Sequence, residues 1–458
     1  MTARAARALR AGLAIGVLLA CVPGAAAAAP APPNTVSRWD EIAQNTVVSS
    51  GAFQNEGLVY MAYVSAAVYD AATSIQGGYE PYGHRIPPPR GASTDAAVIE
   101  AAYRTLVNYF PAPRATSAPD LDALHSEALA EIPSGPAKDD GIAVGAAAAA
   151  QVIALRAHDG RVTPIGSSSP FSPVPGPGAW RRTPPAFASP QTPWVGAMRP
   201  FLLRSPGQFL PGPPAALHSR AWVRGVAEVK AYGGATGSAR TAEQTDVARF
   251  WSTNVIVQYN QALRELAAAR GLGLLETARL MAMVNVVGAD AQIAVMNAKY
   301  HYGFWRPVTA IDPGAVSALD GPVPGHEDGN PATVEERGWR PLLTTPNHPE
   351  YPAAHGSLTS AMVEVFSEFL DRDRFDLTLT STVVPSMPTR HFNSGHELRR
   401  EIVDARLWGG LHYRFSTRAG VRLGRDVARY DLAHAFRPAG GCPVGRVRGL
   451  TIRRWVSC

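Results

Sequence analysis

The sequence predicts an all-α fold built of helical bundles, and three observations carry that expectation. Apolar residues recur at helical spacing through long stretches, and few stretches alternate as half-buried strands do. The helical stretch Leu58 to Ile75 is apolar on nearly all sides, as a helix buried within a bundle must be. The chain has 458 residues and is 46% hydrophobic, ample for a large core in one domain or in two intimately packed halves.

The elements follow in order. Residues 1–28 read as a secretory signal, with Arg4, Arg7 and Arg10 as the positive region, Ala11 to Val22 as the apolar region and small residues from Gly24 to Ala29 for cleavage. That makes the mature protein exported, extracellular or in the cell envelope. A membrane anchor and acylation at Cys21 are weaker readings of the same stretch. No later stretch approaches the roughly 20 apolar residues of a spanning helix. A single all-α domain is expected over residues 33–440, with a C-terminal tail at 441–458. Helices are expected over 36–43 and 58–75, over 95–110 between the cap Thr94 and the stop Pro111, and over 117–132 and 137–158. From Thr163 to Pro214 the chain is rich in Pro, Ser and Gly, yet Trp180, Phe187, Trp194, Phe201 and Phe209 are too apolar for a solvated tether. A long ordered surface loop over the site is the expectation. Helices resume at 219–231, 241–251, 255–270, 276–298, 357–372, 397–407 and 418–436.

The charge excludes little. Without the three signal arginines, 40 basic residues face 37 acidic ones, and no basic run carries interleaved aromatics as a nucleic-acid surface would. Cys442 and Cys458 remain, could pair in an exported protein, and have no zinc-type spacing.

Three stretches carry chemistry. In Asn297 to Pro307, Lys299 and Arg306 stand seven residues apart. If the helix continues they share a face, and among Tyr300, Tyr302, Phe304 and Trp305 two buried cations call for an anion. In Thr345 to Ser357, Pro349 and Pro352 keep the entry extended, so a helix begins near Ala353 to Gly356. His355 then sits at a helix N-terminus with free backbone N–H groups, and its small neighbours permit close approach of a ligand. His348 reads equally as a residue supporting the site from behind or as loop surface. In Ala405 to Ser416, the break at Gly409-Gly410 lets Arg406 and His412 reach one pocket. Three cations and two imidazoles suit a tetrahedral oxyanion, phosphate or vanadate, with one histidine bonding the central atom and the other moving protons.

In order, Lys299-x6-Arg306-Pro307, Pro352-Ala353-Ala354-His355 and Ala405-Arg406-x5-His412-x3-Ser416 resemble the signature of the vanadium-dependent haloperoxidase and type 2 phosphatidic acid phosphatase superfamily. The motifs lie within residues 290–435, and Trp39-Asp40-Glu41-Ile42-Ala43, Tyr69-Asp70-Ala71 and Thr241 to Thr245 are similar to exported bacterial members. The resemblance implies two packed four-helix-bundle-like halves with the site at the base of one. It implies vanadate as cofactor, held by Lys299, Arg306, Arg406 and the backbone N–H of Ala354. His355 would be the acid/base and His412 the metal ligand, or the phosphorylated nucleophile of a phosphatase. It implies oxidation of halide by hydrogen peroxide to hypohalous acid, with small organic acceptors. Departures are Ala353 and Ala354 for the usual Ser-Gly, and Ser416 for the Asp that orients the second histidine. His348 resembles the histidine of algal bromoperoxidases and points to bromide or iodide rather than chloride. An acid phosphatase and a non-catalytic oxyanion-binding relative are the alternatives. No nucleic-acid partner and no membrane span are expected, and the oligomeric state is left open.

Overall fold

The computed structural model describes residues 32–111, 118–172, 176–315, 317, 320, 328–371, 374–443 and 455–457. The expected signal segment lies outside them, as does Cys458 of the expected disulfide. Helices α1 (Thr35–Ser49), α2 (Gln54–Gln76), α3 (Thr94–Tyr109), α4 (Leu121–Ala130) and α5 (Pro136–Arg156) come first. Then follow α6 (Arg220–Gly233), α7 (Ala242–Phe250), α8 (Val255–Arg270), α9 (Leu274–Tyr302) and the short α10 (Pro307–Ile311). The C-terminal part holds α11 (Ala354–Phe369), α12 (Gly395–Trp408) and α13 (Arg414–His434). Side chains cap the starts: Asn34, Ser93, Asp120, Ser219 and Asn254 each accept a backbone N–H of the first turn, and Thr241 with Gln244 closes a capping box.

Two bundles share one helix. α2, α3 and α5 pack together with α9, and α9 packs on its other side against α11 and α13, with α12 beside them. A helix used by both bundles must be apolar all round, and from Leu275 to Met296 of α9 nearly every residue is buried. Helices α2 and α9 are long and apolar enough to cross a membrane, against the expectation that no such stretch exists. However, 94% of the apolar window of each is covered by the rest of the protein. Close approach sets α11 on α13: a Cβ at Gly424 would meet the carbonyl oxygen of Ser357 at 1.9 Å, and one at Gly420 that of Ala353 at 2.3 Å.

In the described part of the Pro-rich segment, most of the large apolar side chains turn inward rather than lying on the surface. Trp180, Trp194, Val195, Met198, Phe201 and Leu203 are buried. The carboxylate of Asp290 on α9 accepts the backbone N–H groups of Phe201, Leu202 and Leu203 at 2.6, 2.7 and 3.0 Å.

Two short hairpins were not expected. β1 (Arg374–Thr380) pairs antiparallel with β2 (Thr389–Ser394), and the alternation Phe375, Leu377, Leu379 buries one face. β3 (Gly441–Pro443) pairs with β4 (Trp455–Ser457), placing the backbone of Cys442 opposite Val456.

Candidate oxyanion site

The end of α9 brings Lys299 and Arg306 together, though not by the shared helical face the spacing suggested. The helix stops at Tyr302, Gly303 takes a left-handed conformation (φ 52°), and Arg306 is the N-cap of α10. Pro307 therefore begins a helix rather than ending one, because the first helical position needs no N–H. The Pro-rich segment braces this turn: Trp180 N donates to Gly303 O at 2.6 Å and Trp305 N to Gly178 O at 2.8 Å.

α11 starts at Ala354 with no side-chain cap on Ala353, so His355 sits in the first turn as expected. The N–H groups of Ala354, His355 and Gly356 have no intrahelical acceptor. Gly356 is small for another reason than the one expected: an added Cβ would meet Thr417 O of α13 at 2.7 Å. Its smallness serves helix packing, not ligand approach. Ala353 N donates to Ser416 O at 3.3 Å, locking the start of α11 to the start of α13. The α12–α13 connection turns through Gly410 (φ 75°) and delivers Arg406 and His412 to the same place.

Lys299, Arg306, Arg406, His412 and Glu350 are all at most 3% exposed. The ammonium of Lys299 donates to Pro349 O (3.0 Å) and Glu350 O (2.9 Å). Arg306 donates to His348 O, Leu411 O, His348 Nδ1 and His412 Nε2 at 3.0 to 3.1 Å. Arg406 donates to Trp251 O at 3.1 Å, and its Nε is buried with no partner. His348 is thus held against Arg306, its Nδ1 accepting, instead of lying loose on the loop surface.

Sequence reasoning missed one residue. Glu350 Oε1 lies 2.8 Å from His412 Nδ1 and accepts Tyr413 N at 3.1 Å. A guanidinium can only donate, so His412 Nε2 must be its acceptor and Nδ1 carries the proton. The carboxylate thus fixes the tautomer and aims an Nε2 lone pair into the site. Ser416, expected in this orienting place, gives its backbone carbonyl to Ala353, and its buried hydroxyl makes no hydrogen bond. An acid between Pro349 and Tyr351, beside three cations, was the signal available in the sequence.

Burial dominates the electrostatics. It pushes Glu350 up to about 7, against the pull of Lys299 and Arg306. It holds Lys299 well below its ordinary value, helped by Arg306 and Arg406. Arg306 falls to about 10 and Arg406 to about 9, so both stay charged at neutral pH. His348, His355 and His412 are held well below the ordinary imidazole range, first by burial and then by these cations.

Three buried cations against a single carboxylate, an unpartnered Arg406 Nε and free N–H groups at a helix start fit a tetrahedral oxyanion. Lys299, Arg306, Arg406 and the N–H of Ala354 would hold its oxygens, and His412 Nε2 its central atom. Ala353, with no hydroxyl, offers none. Among the described residues no cluster of three or more His, Cys, Asp or Glu could hold a cation. Above the cradle lies a cavity of about 420 Å³ whose floor is His348, His355, Arg406 and His412.

Residues 279–441 match the family model of the VCPO second helical-bundle domain. The vanadium chloroperoxidase of Curvularia inaequalis is 25% identical over 219 residues, covering 37% of this chain. The match spans about a third, 34%, of that relative's length. Two solved structures share the fold along nearly their whole length. The first bacterial vanadium-dependent iodoperoxidase superposes with a TM-score of 0.71 at 21% identity, covering 90% of this chain and 99% of its own. A holo-type bacterial vanadium-dependent chloroperoxidase gives 0.66 at 18%, covering 88% and 98%.

Proposed function

From the premise that this chain is a relative of the vanadium haloperoxidases, carrying their second helical bundle in residues 279–441, we propose that it is a vanadate-dependent haloperoxidase. It would oxidise iodide or bromide, in preference to chloride, with hydrogen peroxide. One observation carries this reading: His412, its Nδ1 held by Glu350, turns Nε2 towards Arg306 in a site where three buried cations face a single carboxylate. Vanadate, when bound, supplies a Lewis-acidic centre that polarises peroxide without changing its own oxidation state. The chain's residues do the rest. Lys299, Arg306 and Arg406 neutralise the oxyanion charge. His412 anchors it through Nε2. His355, at the helix start and facing the cavity, takes and returns the peroxide protons. His348 beside Arg306 makes the halide approach polar, and the structural neighbour described as an iodoperoxidase supports iodide first.

A second reading is favoured by Glu350 itself. A carboxylate on Nδ1 stabilises an imidazolium, which a phosphohistidine intermediate at His412 would need. Purified protein with vanadate, peroxide and each halide in turn, beside a phosphate ester without vanadate, separates the two. Hypohalous acid formation that requires vanadate supports the first reading. Ester hydrolysis that vanadate abolishes, with no halide oxidation, replaces it with the second. Export and cleavage after the apolar segment ending at Val22 remain part of the proposal, tested by N-terminal sequencing of the exported protein.

A further inference from the structure

Of the three cations in the cradle, Arg406 has the thinnest support. Lys299 donates to two carbonyls, and Arg306 makes four contacts. Arg406 makes one hydrogen bond to the described residues, to Trp251 O at 3.1 Å, and its Nε has none. Its aim is therefore set by where that one carbonyl stands. Trp251 is the C-cap of α7, so its carbonyl is among those a helix end leaves without an intrahelical donor. The negative end of the helix dipole also suits a guanidinium.

The carbonyl is held through the side chain of the same residue. The indole of Trp251 is buried, and its Nε1 donates to Glu401 Oε1 at 2.8 Å. Glu401 is gripped at both oxygens by Arg390 of β2, at 2.6 and 2.5 Å. Such two-point pairing fixes the plane of the carboxylate. Phe392, two residues further along β2, closes on the Trp251 ring with 6.2 Å between centroids. Glu401 and Arg406 both belong to α12. One helix thus takes hold of Trp251 twice, by its ring and by its carbonyl. Packing alone does not call for this. Trp180, Trp305 and Trp339 are buried with no partner for the indole N–H. We propose that Trp251 and Glu401 are positioning residues for oxyanion binding: the carboxylate fixes the indole, the indole fixes the carbonyl, and the carbonyl aims Arg406 into the cradle. The inference rests on the proposed function only in taking the cradle to bind an oxyanion.

A double-mutant cycle on affinity tests it, read by calorimetry with vanadate and separately with inorganic phosphate. Trp251→Phe removes the N–H and keeps a ring. It is expected to weaken both anions about tenfold, the low end of the roughly 10–100-fold cost of losing such an outer partner. In an Arg406→Ala chain the same substitution should cost nothing further, because the residue it positions is gone. Glu401→Ala should match Trp251→Phe, and Glu401→Gln, which keeps an oxygen for the indole, should recover most of the loss. A merely structural role would lower the melting temperature without obeying that cycle. Full native affinity in Trp251→Phe overturns the proposal. So do losses that multiply in the double variant, or a Glu401→Gln chain as weak as Glu401→Ala. If Trp251→Phe does not fold, the cycle of Glu401→Ala with Arg406→Ala decides by the same criteria. A native chain that binds neither anion overturns the proposed function as well, whereas failure confined to the variants leaves that reading standing.

Discussion

At the scale of single residues, the proposed function would divide its work between two imidazoles that share a depressed pKa but not a partner set. His412 is fixed on both ring nitrogens, by Glu350 and Arg306, whereas His355 makes no hydrogen bond to a described side chain and faces the cavity. A fixed ring is suited to ligation and a free one to moving protons. His412→Ala is therefore expected to lose vanadate affinity and halide oxidation together. His355→Ala should keep vanadate and lose turnover by roughly 10²–10⁴. Calorimetry of vanadate binding, paired with halide oxidation at saturating vanadate, checks both. Equal loss of affinity in the two variants removes the proton-transfer role from His355. Most of this set was legible in the sequence, because Lys299, Arg306, His355, Arg406 and His412 carry spacing and residue type together. Glu350 was not, since an acid among prolines has no periodicity to mark which way it points. The pairing of Glu350 with His412, 62 positions apart, depends on the fold of the chain between them.

Between elements, α13 does two jobs, and each gives a test. Its glycines let α11 approach closely enough for Ala353 to bond Ser416, which sets where His355 stands. Gly424→Ala puts a methyl group into Ser357 O and is expected to cost about 1–3 kcal/mol or more in stability. It should also lower activity by displacing the start of α11, and thermal melting with residual halide oxidation measures both. Further along, Asp431 is buried with neither carboxylate oxygen hydrogen-bonded. Burial, and then the nearby Asp290, hold its pKa well above the usual carboxylate range. An acid whose pKa rises on folding binds its proton more tightly in the folded chain. It supports the fold at low pH and burdens it progressively as pH climbs from about 4. Asp431→Asn should thus melt above the native protein at pH 8, with the difference closing towards pH 4. A pH-independent difference would mean that Asp431 is not ionising within the fold. The helices themselves were legible from periodicity and caps. The α9–α10 turn was not, because unbroken spacing outweighed the lone Gly303. The β1–β2 hairpin was missed because its alternation lasts only seven residues in a chain of helices.

Across the whole molecule, the charge gathered in the cradle is a standing cost, since burial pushes all three cations towards neutrality. An oxyanion that binds only the folded chain offsets it. Vanadate or phosphate at a hundred times its dissociation constant should add about 2.7 kcal/mol and raise the melting temperature, an effect that Arg406→Ala should blunt. A melting curve unmoved by either anion would contradict the cradle. The shared helix α9 bears on that same curve. It is a wall of the first bundle, a wall of the second, and the carrier of Lys299 at its end. Neither half can lose it and keep a closed interior, so unfolding one strips the other. The protein is expected to unfold in one calorimetric transition. A fragment covering only residues 279–441, though it matches a recognised module, would expose the side of α9 that α2 covers. Such a piece should aggregate alone and regain anion affinity only when the missing N-terminal half is supplied in trans.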